Sequence, residues 1–391
     1  MHYFLGIPTK SYKSGAWIIM AAMAVISCHK SSKSEEEMSE STTYYLEKVD
    51  SIRIDRENTV RLLDYHPIED RFLAYDQITE EFLVLDGKGE LLEAAYRVGE
   101  GPNEYNSSLL AASFNQEGSG YYLQSSGEFL RYNVNWQVEG RIRFASQVFI
   151  RFYSGPQLRV PYFRLQDASD PYFFTNFFSG VNNSAGVMDG EDGPDYLIEL
   201  YNPQKEGLDK ALPNDTELLP EVEMNPDSKR ANPVQVFALD KAASRLFLTY
   251  DRSNEIGVYD MTQDFALEEM LNFEHQRFSA VQKARNTALF HFEPNLFAVL
   301  YFEGLSEAAT EARKAKDPEY FSYRDPELYH LILIQDGVHQ EEEIAFPASC
   351  EPHSEILLLP GKRLLLRDKY KGEDEPTYST YSVFELKPVI K

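Results

Sequence analysis

The chain has few cysteines, few basic residues and no long apolar run. It contains two cysteines, Cys28 and Cys350, so it can form at most one disulfide bond. Its 38 Lys and Arg are outnumbered by 63 Asp and Glu, which gives a net charge of −25. So acidic a chain is repelled by nucleic acid and by anionic lipid headgroups, and we therefore expect no nucleic-acid partner.

The most apolar stretch is Ala16–Ile26 (AWIIMAAMAVI). As a helix it would rise about 16 Å, whereas the bilayer core is about 30 Å thick, so the sequence predicts no transmembrane helix. Lys10 and Lys13 precede this stretch without any acidic residue, and small residues follow it. This is the pattern of a secretory signal peptide, which we predict over residues 1–27.

The residues before Cys28 resemble the lipobox of bacterial lipoproteins: Val25, Ile26 and Ser27. The resemblance implies that the signal is cut off at Cys28 and that its thiol receives lipid, since a thiolate is the nucleophile available near neutral pH. The lipid on Cys28 would then attach the protein to a membrane. A stray cysteine at the end of a plain signal peptide is the alternative.

Residues 28–43 are predicted to be a disordered acidic tether, because they contain Ser, Lys and Glu without an apolar cluster. The stretch Ser34–Glu37 resembles the acidic signal that follows the lipidated cysteine in surface-displayed lipoproteins of Bacteroidota. That resemblance implies an outer-membrane lipoprotein of the cell envelope that faces outward. A merely solvated linker is the alternative.

Cys350 lies in the stretch FPASCEP beside apolar residues. If Cys28 carries lipid, Cys350 has no disulfide partner, and a lone cysteine in such surroundings is typical of a small buried hydrophobe. A catalytic dyad with His353 is the alternative, and it rests on adjacency alone.

Residues 44–391 are predicted to form one domain, rich in strand-forming aromatic and aliphatic residues. Two stretches align without a gap over sixteen residues: Arg71–Asp86 (RFLAYDQITEEFLVLD) and Arg245–Asp260 (RLFLTYDRSNEIGVYD). Each reads as a strand, a polar turn, a second strand and an aspartate, and continues into a third strand. With weaker copies between and after them, we count about six units.

Repeated meanders that cannot bury both faces alone are typical of a β-propeller. We therefore predict an all-β, six-bladed β-propeller with short helical insertions, preceded by the signal peptide and the disordered tether. Helices are predicted over Ser306–Lys316, with a serine cap, and over Phe278–Phe290. Lys205–Pro233 is predicted to be a loop between blades. Two packed β-sandwiches are the alternative architecture.

Gly99 and Gly101 belong to the stretch VGEGPNEY. A phosphate cradle needs successive free backbone N–H groups, and Pro102 removes one of them. We predict instead a tight turn at a blade edge, with Glu104 capping backbone N–H groups. The motif G-x-G-P-x-E-Y, which ends at Tyr105, resembles that of the six-bladed β-propeller lipoproteins of Bacteroidota, a largely uncharacterised group. The resemblance implies a fold and a location, and it implies no established reaction.

The sequence contains only weak signals for catalytic or metal-ligating residues. No histidine forms an H-x-H or HExxH pattern, and the acidic loop Asp189–Asp195 departs from EF-hand spacing, so we predict no metal site and no cofactor. The histidines of the predicted domain are His66, His275, His291, His330, His339 and His353. Aromatic residues that could stack on sugar rings, or simply fill strands, are Tyr172, Phe173, Phe174, Phe177 and Phe178.

The sequence thus predicts a lipid-anchored envelope β-propeller that binds a ligand or scaffolds a partner through its loops. The ligand would be a glycan, a peptide or another envelope protein. The sequence favours a role without catalysis and does not decide the question. The alternative is a metal-dependent hydrolase or lyase with His and carboxylate ligands on the propeller axis. A subunit that needs a partner is a third hypothesis, and it predicts an exposed apolar patch.

Overall fold

The computed structural model shows an all-β chain arranged as a β-propeller. It describes residues 43–106, 108–143, 162–163, 172–175, 196–202, 207–213, 235–240, 242–273, 284–370 and 377–389. The predicted signal peptide, Cys28 with its lipobox, and nearly all of the predicted tether lie outside the described residues.

The first described strand, β1 (Tyr44–Ile54), pairs with the last strand of the chain, and the others form antiparallel sheets in chain order. Sheet I contains β2 (Val60–His66), β3 (Arg71–Asp76), β4 (Glu81–Asp86) and β5 (Leu91–Tyr96). Sheet II contains β6 (Leu109–Phe114), β7 (Gly120–Ser125), β8 (Glu128–Asn133) and β9 (Val138–Arg143). Sheet III contains β10 (Tyr162–Phe163), β11 (Tyr172–Thr175), β12 (Tyr196–Asn202) and β13 (Gly207–Pro213).

Three more sheets complete the described strands. Sheet IV contains β14 (Gln235–Asp240), β15 (Arg245–Tyr250), β16 (Glu255–Asp260) and β17 (Ala266–Asn272). Sheet V contains β18 (Arg285–Glu293), β19 (Leu296–Phe302), β20 (Tyr329–Gln335), β21 (Val338–His339) and β22 (Ile344–Ala345). Sheet VI contains β23 (Ile356–Leu359), β24 (Arg363–Arg367), β25 (Ser379–Pro388) and β1.

The predicted β-propeller is confirmed, and the predicted number of six blades is corrected. Five of the sheets have the four-stranded form of a propeller blade. Sheet V has five strands, because β21 and β22 pair with opposite ends of β20. The acidic stretch Gln340–Glu343 between these two short strands interrupts what would otherwise be one outer strand.

The two aligned repeats form the second and third strands of sheets I and IV, as predicted. The aspartates that end these strands cap the turns that follow. Oδ1 of Asp76 accepts from the backbone N–H groups of Ile78 and Thr79, and Oδ1 of Asp86 accepts from those of Lys88 and Glu90. Carboxylates that bind turn N–H groups stabilise tight hairpins, which explains the recurring aspartate.

Three other predictions are tested by the described residues. A helix α1 (Glu307–Lys314) is present, and the Ser306 hydroxyl caps it by accepting from the Ala309 N–H at 3.2 Å. The predicted helix at Phe278–Phe290 is wrong from Arg285 onward, where β18 pairs with β19. The predicted loop Lys205–Pro233 is wrong where β13 pairs with β12. In both cases sheet pairing outweighs local propensity.

Two short 3₁₀ helices, Ser322–Arg324 and Pro326–Leu328, follow α1. None of the helices in the described residues has the length and apolar character needed to cross a bilayer.

Sheet VI joins the two ends of the described chain. β1 is its outer strand and pairs antiparallel with β25, from Tyr44 opposite Pro388 to Ile54 opposite Ser379. Ile54 is 2% exposed and packs in a core cluster with side chains of sheets I and VI. The N-terminal strand therefore completes the sheet that the C-terminal strands begin.

The alternating strand directions define two ends of the propeller. Connections from the second to the third strand of a sheet, and from one sheet to the next, leave at one end, which we call the upper face. The remaining connections leave at the other end, the lower face. Lower-face turns are short, such as Asp336–Gly337, whereas the upper face carries long insertions, such as residues 303–328.

Two substitutions on β1 test how this strand packs. Ile54→Ala should lower the free energy of unfolding by about 2–5 kcal/mol, because it leaves a cavity where sheets VI and I meet. Val49→Ala, at a 41% exposed position of β1, should change it by less than about 0.5 kcal/mol. Urea denaturation followed by circular dichroism measures both. Equal effects of the two variants would contradict the packing described for β1.

Candidate functional site

The upper-face connection between β19 and β20 carries a folded insertion that is held together by Asp325. The carboxylate of Asp325 accepts from the Tyr320 hydroxyl at 2.8 Å and forms an ion pair with Arg313 of α1. It also caps the turn Pro326–Leu328 by accepting from a backbone N–H group. These contacts fix the residues between α1 and β20 on the upper face.

Two aromatic side chains and an arginine project from this insertion. Phe321 is 46% exposed and Tyr323 is 38% exposed, and their ring centroids lie 5.6 Å apart. The guanidinium carbon of Arg324 lies 5.2 Å from the Phe321 centroid and 5.5 Å from the Tyr323 centroid, within the range of a cation–π interaction. The Tyr329 hydroxyl donates to the Tyr323 carbonyl oxygen at 2.9 Å and so fixes the backbone beneath them.

The connection between sheets V and VI brings His353 against this aromatic surface. The rings of Tyr323 and His353 meet edge to face, with centroids 5.5 Å apart. Next to them, Oε2 of Glu351 accepts from the Ser354 hydroxyl at 2.7 Å and lies 3.6 Å from Nε of Arg367. We call this group the upper-face cluster: Phe321, Tyr323, Arg324, Glu351, His353 and Arg367.

Burial lowers the pKa of His353 from its usual value, because a partly buried imidazolium loses hydration. Glu351 and Glu355 oppose this effect, whereas the positive charges of Arg324 and Arg367 add to it. The imidazole is therefore neutral near pH 7, and it can both donate and accept a hydrogen bond.

Beneath the cluster, a buried carboxylate joins sheets VI and I. Oε1 of Glu355 accepts from the Leu62 N–H at 3.1 Å and lies 2.7 Å from the Tyr381 hydroxyl. That hydroxyl also lies 2.8 Å from the Val60 carbonyl oxygen. Oε2 of Glu355 lies 3.7 Å from Nε of Arg61. The hydrogen bonds of Glu355 thus connect sheets VI and I directly below the upper-face cluster.

This arrangement suits binding. Exposed aromatic faces can stack on a sugar ring or an apolar side chain, and a guanidinium donates to hydroxyl or carboxylate oxygens in a fixed geometry. The Ser354 hydroxyl, next to His353 in sequence, donates to Glu351. The described contacts therefore do not pair Ser354 with His353 in the way that activates a nucleophile.

The glycine motif forms the upper-face connection between sheets I and II. The Gly101 N–H donates to Oε2 of Glu104 at 2.7 Å, and the Gly99 N–H donates to the Tyr105 carbonyl oxygen at 2.9 Å. A Cβ atom on Gly99 would lie 2.1 Å from Oε2 of Glu104, so a side chain there displaces the capping carboxylate. Tyr105 is buried against Phe82.

Sheet II holds this connection from the other side. Arg141 donates to the carbonyl oxygens of Pro102 at 3.1 Å and of Glu104 at 2.6 Å, and its guanidinium also pairs with buried Glu128. Oδ1 of Asn103 accepts from the Val138 N–H at 2.9 Å. The motif therefore links two neighbouring sheets, and none of these N–H groups is left free for a phosphate.

Cys350 is fully buried and makes an isolated bridge with Asp368. Its thiol donates to Oδ1 of Asp368 at 3.5 Å, and burial raises its pKa to about 12. A thiol with so high a pKa is almost entirely protonated near neutral pH and is a poor nucleophile. His353 contacts Tyr323 instead, so the described contacts give no support to the dyad alternative.

The other histidines of the described residues make contacts that do not involve the upper-face cluster. His66 accepts from the Glu69 N–H, His291 stacks on Phe247, and Nε2 of His330 lies 3.5 Å from a Glu303 carboxylate oxygen. Within the described ranges, no group of three or more His, Cys, Asp or Glu side chains could hold a metal ion. These predicted candidates lie outside the described residues: His275, Phe177, Phe178 and the loop Asp189–Asp195.

Three aromatic candidates, Tyr172, Phe173 and Phe174, lie on β11. The sequence analysis singled out His353 and none of the other residues of the upper-face cluster, which are Phe321, Tyr323, Arg324, Glu351 and Arg367. No sequence pattern joins Tyr323, Arg324 or Arg367 to His353, because a long connection and a change of sheet separate them.

No protein-family model and no curated protein matches the chain. Among solved structures, it is similar to a member of the DUF4221 family from Bacteroides vulgatus, with a TM-score of 0.62 and 10% sequence identity. The match covers 89% of this chain and 100% of that chain. At this identity the likeness shows the fold alone, a β-propeller shared with an uncharacterised Bacteroidota domain family.

Two further solved structures are less similar. A luciferin-regenerating enzyme matches with a TM-score of 0.44 and 8% identity, covering 87% of this chain and 95% of that chain. A gluconolactonase from Xanthomonas campestris matches with a TM-score of 0.42 and 10% identity, covering 88% of this chain and 98% of that chain. The activities of these proteins carry no argument for the present chain.

The burial of Cys350 predicts slow reaction with thiol reagents. In a Cys28→Ser variant, Cys350 is the sole thiol, and its native rate with Ellman's reagent should be more than about a hundredfold below the rate in denaturant. The absorbance of the released thiolate measures both rates. A native rate close to the denatured rate would restore the nucleophile hypothesis.

The lowered pKa of His353 predicts that the free energy of unfolding depends on pH. Its pKa is lower in the folded state than the unfolded value of about 6.5, so the contribution of the neutral imidazole is present above that pH. It is lost as the pH falls through about 6.5 toward the folded pKa. The loss of unfolding free energy between about pH 7.5 and pH 5.5 should be smaller in His353→Gln than in the unchanged protein. Denaturant titrations at the two pH values measure it, and an equal loss would contradict the inferred shift.

Proposed function

We propose that this protein is a lipid-anchored β-propeller of the bacterial envelope that binds a ligand or partner through its upper-face cluster. The observation that supports this best is the exposed pair Phe321 and Tyr323, held on a fixed backbone beside Arg324 and His353. Large apolar side chains that remain exposed on an ordered surface are typical of binding sites.

The chemistry of the cluster favours a glycan among the three ligand classes expected from the sequence. Sugar rings stack on exposed aromatic faces, and their hydroxyl and carboxylate oxygens accept hydrogen bonds from guanidinium groups. A peptide with aromatic or acidic side chains can make the same stacking and hydrogen-bonding contacts, and a partner protein can present a glycan or such a peptide segment. We therefore propose a glycan first and a peptide or envelope protein second.

The attachment to a membrane remains part of the proposal. It rests on the lipobox resemblance at Cys28 and on the acidic stretch that follows it, which would place the protein in the outer membrane, facing outward.

The number of blades is also part of the proposal. We propose that sheet V, despite its divided outer strand, serves as one blade beside the five regular ones. Its inner strand β18 packs beside β14 of sheet IV, and β22 lies beside β1 of sheet VI, which supports a place in the same ring.

A glycan array tests the proposed function. The unchanged protein should retain at least one glycan, and Tyr323→Ala or Arg324→Ala should weaken that binding by about threefold to tenfold, the effect expected of one stacking contact. The matched control is Tyr96→Ala, because Tyr96 is 50% exposed on the outer strand of sheet I, and it should bind as the unchanged protein does.

Two results would contradict this proposal. Equal retention by Tyr323→Ala and by the control would place the site elsewhere. Loss of binding in the presence of a chelator would favour the alternative, a metal-dependent hydrolase or lyase with its site on the propeller axis.

A further inference from the structure

A cleft of about 670 Å³ opens at the lower face between sheets IV and V. Its size lies within the range of protein pockets that hold small ligands or peptide side chains. It lies at the opposite end of the strands from the upper-face cluster, because its loop residues belong to lower-face turns. Its lining includes Arg245, Phe247, Glu268, Glu269, Phe297 and Asp336.

The cleft exists because one turn is shorter than its counterpart in sheet II. Between sheets I and II, the lower-face turn after β8 contains Trp136, which stacks on Tyr121 at 3.9 Å and on Phe82 at 5.0 Å and fills the joint. Between sheets IV and V, the corresponding turn after β20 is the two-residue turn Asp336–Gly337, which carries no aromatic side chain. The space that a tryptophan occupies in one joint is therefore open in the other.

The floor of the cleft is apolar and its rim is acidic. Phe247 and Phe297 are 2% and 3% exposed, and their ring centroids lie 4.6 Å apart. At the rim, the Glu268 carboxylate is neutralised by Arg245, at 2.8 Å. Glu269 has no cationic partner among the described residues, and Oδ1 of Asp336 accepts only the neutral amide N–H of Asn295, at 2.9 Å.

The two unneutralised carboxylates both line the cleft. Oε1 of Glu269 is 4.0 Å from the position that a Cβ atom on Gly337 would take, and Gly337 adjoins Asp336 in the same turn. A positive group in the cleft is attracted by both charges. The matching ligand has a cation on an apolar stem, so that the stem lies in the cleft while the charge faces the carboxylates at the rim.

We propose that this cleft binds a peptide segment that carries a lysine or arginine side chain beside an apolar one. The cleft is partly open to solvent, which suits a chain that enters and leaves at the rim. The proposal is independent of the proposed function, because the two sites use connections at opposite ends of the propeller.

The test uses the full-length chain and a fluorescein-labelled peptide, Leu-Lys-Leu-Lys-Gly-Gly, with a second version in which both lysines are acetylated. Fluorescence polarisation measures the dissociation constants. The acetylated peptide should bind at least about fivefold more weakly, because it keeps the apolar groups and loses the charge.

Matched variants separate the cleft from the general negative charge of the protein. The double variant Glu269→Gln, Asp336→Asn should weaken binding of the lysine peptide by about fivefold to thirtyfold. The control is Glu93→Gln, since Glu93 on β5 pairs opposite Val84 as Glu269 on β17 pairs opposite Val258. It removes one charge from the equivalent position of sheet I and should leave binding unchanged. A thermal melt confirms that each variant is folded.

No binding of the lysine peptide, or equal binding of the two peptides, would overturn the proposal. So would an equal loss in the Glu93→Gln control and the double variant, since that result would show attraction to a diffuse acidic surface. Substitution of Tyr323 should leave this binding intact, which distinguishes failure here from failure of the upper-face site.

Discussion

The pairing of β1 with β25 is the constraint on which the rest of the structure depends. The sheets of a β-propeller bury their faces against their neighbours, and an open row of sheets would leave its two end faces in water. The chain closes the row by placing its first described strand at the outer edge of its last sheet. The core between sheets VI and I includes Ile52 and Ile54 of β1 beside Tyr381 of β25, so this pairing completes it.

Buried carboxylates complete the joints that this closure creates. Oε1 of Glu355, just before β23, accepts from the Leu62 N–H of β2, and Oδ2 of Asp64 on β2 accepts from the Phe114 N–H of β6. An inner-edge N–H group that faces a neighbouring sheet has no strand partner, so a carboxylate from the next sheet satisfies it. Part of the high acidic content of the chain therefore has a structural cause in these joints and in the capped turns.

The sequence and the structure agree most closely where the signal is local. The paired strands of the Arg71 and Arg245 repeats follow from alternating apolar residues and turn-capping aspartates, and the serine-capped helix α1 follows from propensity and capping. These patterns act within a few residues, so one sequence is enough to reveal them.

The sequence could not reveal arrangements that depend on distant pairing. β18 has helix-forming residues, yet it forms a strand because β19 pairs with it. The meeting of Tyr323 with His353 depends on two connections of different sheets that share one face. Likewise, the contact of Glu355 with Leu62 joins residues near opposite ends of the chain, and nothing in the local sequence around either residue indicates it.

Trp136 has a consequence for how unfolding of this molecule can be followed. The chain contains two tryptophans, and Trp136 is the one within the propeller. Because it is stacked between side chains of sheets I and II, its emission reports the state of that single joint, while circular dichroism reports strands throughout the ring. The fold therefore contains an intrinsic optical probe that distinguishes the opening of one joint from the collapse of the whole ring.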